Sequence, residues 1–302
     1  QVRALVGRGE TLRLAAIWRR VDAGLPVTGN PETRMAILRA LVEGPEFSGR
    51  DRRRCEWARL LIEGGHSREG LAVLEGTGPD AGCALPLRAW GWAAVETAGR
   101  REEDQGTAAI RAWMEQDPDP EEVLQALQET SPEDVQRHLV QRLGREAVGR
   151  DISPAARKAV MRSLLKLVDR APGTPLADAA LAWVRKGRGW AENPGEEVMA
   201  DLVATRHLLE AGRKNQARVT YRRALSRVRP SMEDTIQALW MVTIRLLQER
   251  LDGWVREGGT RLAALPPSDT AVANAAAVEL ARRGMRDLAI RILRGTTEQA
   301  IR

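Results

Sequence analysis

The chain has 302 residues, 43% hydrophobic and 29% charged, which excludes a disordered segment and allows one large core, two ordinary domains or a repeat array. One Tyr (Tyr221) and one Phe (Phe47) stand against abundant Ala, Leu, Arg and Glu, a mixture that disfavours sheet and predicts an all-α fold. The net charge of +6 and pI near 10.1 suit an acidic partner, although a cation set made overwhelmingly of Arg also fits GC-rich coding.

The amino-terminal stretch begins at Gln1, which fits a processed mature protein or a piece of a longer one, so cytoplasm and periplasm both remain open. It carries no signal-type apolar segment, and no later run approaches the roughly 20 apolar residues needed to span a bilayer, so a soluble chain is expected. VGRGETL near Gly7 and KGRGW near Gly187 lack the further glycines or the lysine of a phosphate loop, and their glycines are expected to terminate helices.

Short polar residues followed by Pro mark successive helix starts: Asn30, Asp119, Ser131, Ser153, Thr174 and Asn193. In each the polar side chain is expected to cap and the Pro to take the first helical position. Ser231 (SMED) and Ser268 (SDTA) are two further starts without Pro. Eight such signals predict many short helices.

A second landmark appears in RLLIEGGHSREGLAVLEG and AAVETAGRREED, and again in EAGRKNQA and RRGMRDLA. A helical stretch ends at Gly65, Gly99, Gly212 or Gly284, each expected in the left-handed conformation that a Cβ disfavours. Four residues earlier stand Leu61, Val95, Leu208 and Leu280. Eight earlier stand Trp57, Gly91, Ala204 and Ala276, and nine later Leu74, Ala108, Tyr221 and Leu293. Ala217 and Ala289, five after their glycines, are expected to let two antiparallel helices approach closely. Residues 84–118 need about two extra residues after Gly99 to fit. Between Pro120 and Gly187 these landmarks fail, and irregular helical hairpins or a separate helical insert are expected.

The last three starts, Asn193, Ser231 and Ser268, lie 38 and 37 residues apart, the spacing of a two-helix repeat. The unit from Asn193 to Pro230 resembles a tetratricopeptide repeat through Ala204, Leu208, Gly212, Ala217, Tyr221, Ala224 and Pro230. Residues 268–302 resemble another through Ala276, Leu280, Gly284, Ala289 and Leu293. Residues 231–267 keep the length and the terminal Pro266 and Pro267, with Asp252-Gly253 the expected turn. Residues 47–79 and 84–118 match more weakly. The resemblance implies an α-solenoid of antiparallel hairpins, with degenerate units in 1–119, irregular hairpins in 120–192 and repeats in 193–230, 231–267 and 268–302.

Chemistry is sparse in the sequence. His66, His138 and His207 fall in different hairpins, His66 in a turn and the others at exposed or core-edge helical positions. Cys55 and Cys83 form no CxxC pair; they cannot define a zinc site and need not define a disulfide. No metal, cofactor or catalytic group is assigned, and an enzyme is not expected. Trp18, Trp57, Trp113, Trp183 and Trp240 sit in apolar helical patterns and are expected to pack. Trp90, Trp92, Trp190 and Trp254 lie nearer expected ends and are the better candidates for a partner surface.

Charge is uneven: Ala112–Gln136 holds eight acids and no base, while Gly212–Pro230 holds seven bases and no acid. On the latter helix Arg218, Arg222 and Arg229 form one stripe and Arg223 with Arg227 another, alternating with Ala217, Tyr221, Ala224 and Val228. The first stripe is expected to face outward as the remaining candidate partner surface. A scaffold or adaptor that binds other proteins within a multi-subunit complex is the leading expectation. The alternatives are an RNA-binding protein resembling the pentatricopeptide repeats and a regulatory helical domain of a larger protein.

Overall fold

A computed structural model describes residues 30–43, 49–78, 81–99, 103–149, 151–187 and 189–301. The expectations placed on Gly7, Trp18 and Phe47 lie outside these residues. Among the described residues the secondary structure is wholly helical, in sixteen helices, and no helix is long and apolar enough to cross a membrane. The chain divides into two compact units, Gln1–Val160 and Met161–Arg302.

The helices are α1 (Pro31–Glu43), α2 (Arg50–Glu63), α3 (Ser67–Glu75), α4 (Ala84–Thr97), α5 (Glu103–Met114), α6 (Pro120–Glu129), α7 (Glu133–Gly149) and α8 (Pro154–Arg170). There follow α9 (Pro175–Lys186), α10 (Pro194–Glu210), α11 (Lys214–Arg227), α12 (Glu233–Gln248), α13 (Asp252–Glu257), α14 (Gly259–Ala263), α15 (Thr270–Arg282) and α16 (Arg286–Ile301).

Five of the polar-Pro signals start helices as expected, because the side chain satisfies a backbone N–H that the first turn leaves free. Asn30 accepts from Thr33 at 2.8 Å, Asp119 from Glu121 and Glu122 at 2.7 and 2.8 Å, and Ser153 from Ala156 at 3.0 Å. Thr174 accepts from Ala177 at 3.2 Å and Asn193 from Glu196 at 3.0 Å. The other three signals are corrected. Ser131 precedes a cis bond to Pro132, and α7 starts at Glu133. Met232, not Ser231, holds the cap position of α12 and makes no side-chain bond there. Asp269 caps α15, a carboxylate outcompeting the neighbouring hydroxyl, while Ser268 Oγ accepts from Gln237 instead.

The four turn glycines all adopt the left-handed conformation, with φ of 82°, 85°, 72° and 73° at Gly65, Gly99, Gly212 and Gly284. At Gly212 the N–H groups of Arg213 and Gly212 close onto the carbonyls of Leu208 and Leu209 at 2.8 and 2.9 Å, and the same pair recurs at Gly65 and Gly284. A fifth instance overturns the expected turn at Asp252-Gly253. Leu251 and Arg250 donate to Leu246 and Leu247 at 2.9 and 3.1 Å, Arg250 takes φ 60°, and Asp252-Gly253 begins α13.

Within Met161–Arg302, α10 packs on α12 and α12 on α15, while α11 packs on α14 and α14 on α16. The apolar faces between them hold Leu208, Ala217, Tyr221, Ala224, Trp240, Leu246, Val255, Leu280 and Ala289. Tyr221 Oη lies 2.9 Å from Thr243 Oγ1, and because that hydroxyl already donates to the Leu239 carbonyl, the tyrosine is the donor. Trp240 Nε1 donates to the Leu265 carbonyl at 2.6 Å. Ile292 is buried and Leu293 exposed, against expectation, since Ala289, Ile292 and Thr296 share one helical face.

Within Gln1–Val160, α1 packs on α2, α2 on α3 and α4, and α4 on α5, α6 and α7, with α5 on α7. Ala108 is exposed and Ile110 buried in its place. Cys55 of α2 and Cys83, at the cap of α4, form a disulfide that ties these two helices together.

Candidate functional site

The seven cations between Gly212 and Pro230 were the strongest site signal in the sequence, and most of them are engaged by this chain's own acids. Arg222 Nε donates to Glu257 of α13 at 3.0 Å, and Arg218 reaches the same carboxylate. The Arg222 bond is the main reason that the Glu257 carboxyl is held below the usual carboxylate range. On the other side of α11, Arg223 Nε meets Asp201 of α10 at 2.8 Å and Arg227 meets Glu197. Arg213 grips Asp178 of α9 with both terminal nitrogens, at 2.6 and 2.5 Å. Arg218, Arg222 and Arg229 lie at the surface as expected, but Arg218 and Arg222 share Glu257, so among the described residues Arg229 is the one of the three without an acid.

Asp178 also binds His207, which is fully buried on α10, deeper than the exposed or core-edge position expected. Its Nδ1 accepts from the Gly173 N–H at 3.0 Å and its Nε2 lies 2.8 Å from Asp178 Oδ1. Nδ1 therefore carries no proton in this arrangement, Nε2 donates, and both ring nitrogens are occupied in joining α9, α10 and the turn before α9. Burial pushes the Asp178 carboxyl up, but the bonds from Arg213 and His207 outweigh it and its pKa is lowered. In the amino-terminal unit, Glu96 of α4 meets His138 Nε2 at 2.5 Å and Arg142 Nη2 at 2.7 Å. His66 precedes α3 at an exposed position 3.5 Å from Glu69.

The tryptophans divide differently from the sequence expectation. Trp90 is buried, because α4 continues past it to Thr97, and its indole donates to the Ser131 carbonyl at 3.2 Å. Trp190 is buried as well, while Trp92 and Trp254 are half-buried, the latter against the carboxy-terminal core. Trp113 and Trp240 are fully packed. Trp57 is half-buried, as is Trp183, which has Lys186 Nζ 4.4 Å from its ring centroid.

Two of the grooves in Met161–Arg302 are lined by exposed apolar side chains. The larger, about 900 Å³, lies between α9, α10 and α11. Val184 and Leu181 of α9 form one wall, Val219 of α11 the other, and Ala200 and Ala204 of α10 the floor. Gly187 caps the end of α9 as the sequence predicts, and Trp190 just beyond it closes that end of the groove. Arg185 projects into the same space, and among the described residues no carboxylate hydrogen-bonds it. Burial and then the neighbouring Arg223 charge lower its pKa, and Asp201 partly opposes them. Sequence reasoning missed Arg185. Its available signal was a base in the last turn of a helix just before the KGRGW terminator. The second groove, about 560 Å³, lies between α10 and α12 and presents Met199, Val203 and Met241. No family model, curated protein or solved structure matches this chain.

Proposed function

We propose that this chain is a helical-repeat scaffold that binds other proteins, with residues 193–230, 231–267 and 268–302 acting as consecutive tetratricopeptide-like units of a short solenoid. The observation that carries the reading is apolar surface: Val219 is 65% and Met241 58% exposed, with Val278 and Ile290 about half exposed. Scattered apolar residues need no explanation. Here, however, Met241 and Val219 each line a groove, which is where apolar exposure indicates a binding surface. The recurring left-handed turn, at spacings set by hairpins rather than by one globular core, supports the repeat half of the reading.

The RNA-binding alternative draws less support, since most cations of α11 already neutralise Asp201, Glu197 and Glu257 and have little charge left for phosphates. The test is site-specific photo-cross-linking from position 241 in the full chain, followed by mass spectrometry of the adducts. A defined protein adduct that Val203→Asp, in the same groove, abolishes is expected. Recovery of nucleic acid adducts, or of no adduct at all, would sink the reading.

A further inference from the structure

We propose that the groove between α9, α10 and α11 is a docking site for an acidic segment of a partner protein, which sets a carboxylate on Arg185 and an aliphatic side chain on Val219. This rests on the scaffold reading and names the chemistry of one of its contacts. Its volume of about 900 Å³ is at the upper end for ligand pockets, enough for several residues of extended chain.

Charge argues for the class of occupant. The groove is lined by three cations, Arg185, Arg223 and Arg227, and two anions, Asp201 and Glu197. Arg223 and Arg227 are spoken for by those two anions, so among the described residues Arg185 is the one cation of the lining that no acid hydrogen-bonds. A carboxylate there would restore the balance that burial and Arg223 disturb, through the two-pronged geometry that guanidinium and carboxylate share. Around that point the surface is suited to peptide. Asn215 and Gln216 stand exposed in the lining, able to bond to a main chain, and Val219, 65% exposed, offers aliphatic contact. The carboxylates of Asp201 and Glu197 disfavour a run of phosphates, which would place several negative charges beside them. A single side-chain carboxylate flanked by apolar residues meets no such penalty.

The experiment titrates the full chain into fluorescein-labelled peptides of about eight residues with one central Glu flanked by Leu, at low salt, and reads anisotropy. The Leu/Gln counterpart and an oligouridylate of the same length serve as comparisons. The Leu/Glu peptide should bind, and the Leu/Gln peptide should bind roughly tenfold more weakly or worse, as expected for loss of a charge-assisted contact. Arg185→Gln and Val219→Asp should each weaken the Leu/Glu peptide by a similar factor, while Arg286→Gln, an exposed cation outside the groove, should leave it unchanged. Arg185 makes no hydrogen bond to a described residue, so its Gln variant should keep the wild-type circular dichroism and remain interpretable. Equal binding by Arg185→Gln, no binding at millimolar peptide, or an Arg185-dependent preference for oligouridylate would each overturn the proposal. Cross-linking from position 241 reads the scaffold independently: if adducts persist there while the peptide ignores Arg185, the groove proposal alone has failed.

Discussion

Arg250 occupies the turn position that Gly65, Gly99, Gly212 and Gly284 fill in the other hairpins, and it does so at φ 60° with a full side chain. The left-handed conformation costs an L-residue roughly 1–2 kcal/mol, and Arg250 is exposed, so few contacts compensate. Glycine would remove that strain but would also make the unfolded chain more flexible, which takes back about 0.4–1 kcal/mol. Arg250→Gly is therefore expected to stabilise the protein by up to about 1 kcal/mol, and Gly212→Ala, the mirror change, to destabilise it by about 1 kcal/mol. Urea denaturation of the two variants checks both signs. If Arg250→Gly were destabilising, Arg250 would have to be held by its side chain instead of tolerated by its backbone. This position was hidden in the sequence for a simple reason. Glycine marks this conformation in a sequence and arginine does not, so the glycine of Asp252-Gly253 drew the expected turn away from Arg250.

At the scale of the helix pair, the spacing after the turn matters as much as the turn. Ala217 and Ala289 stand five residues beyond their glycines and are buried, and the same offset from Gly65 falls on Gly70. A Cβ on Gly70 would sit 2.8 Å from Ile62 Cγ1 and 2.9 Å from the Ala58 carbonyl oxygen, closer than atoms can approach. From Gly99, two residues further on, Gly106 takes the corresponding place, where a Cβ would meet the carboxylate end of Glu96. That agrees with the two extra residues inferred for this hairpin, and it also explains why Ile110 is buried where Ala108 was expected. Val255 takes the position after Arg250 and is fully buried, so smallness is a local requirement of some pairs and not a rule of all. Gly70→Ala is expected to destabilise the α2–α3 pair by roughly 1–3 kcal/mol through overpacking. Helix propensity alone would predict a gain of up to about 1 kcal/mol. The sign of the change in thermal denaturation decides which effect wins. What was legible at this scale was the periodic apolar face and the turn. What was not legible was the arginine pairing, because Arg222 meets Glu257 and Arg223 meets Asp201 across 35 and 22 residues of sequence, and only helix packing brings them together.

Over the whole chain, the all-α fold was written in composition and in polar-Pro helix starts, both of which act within a few residues and need no tertiary information. The state of Cys55 and Cys83 was not, since a 28-residue separation is compatible with any distance until α2 and α4 are docked side by side. With their Cα atoms 6.1 Å apart the two sulfurs are bonded, and they are the only cysteines in the protein. The crosslink removes loop-closure entropy from the unfolded chain, which for a loop of this size is worth roughly 3–4 kcal/mol. Its ends are unequal, Cys55 buried within α2 and Cys83 half-buried at the cap of α4, so a small thiol in solution can attack the Cys83 side. Thiol titration of the denatured, unreduced chain should find no free thiol, and after dithiothreitol it should find both. Reduction, or the double change Cys55→Ser with Cys83→Ser, should then lower the resistance of the protein to urea by about that energy. Loss of amide exchange protection is expected to begin at the α4 cap and in the facing turns of α2, where the tether acts. Two free thiols before reduction would show that the helices dock without the bond, and the stability lost on double substitution would then measure only the side-chain packing of Cys55.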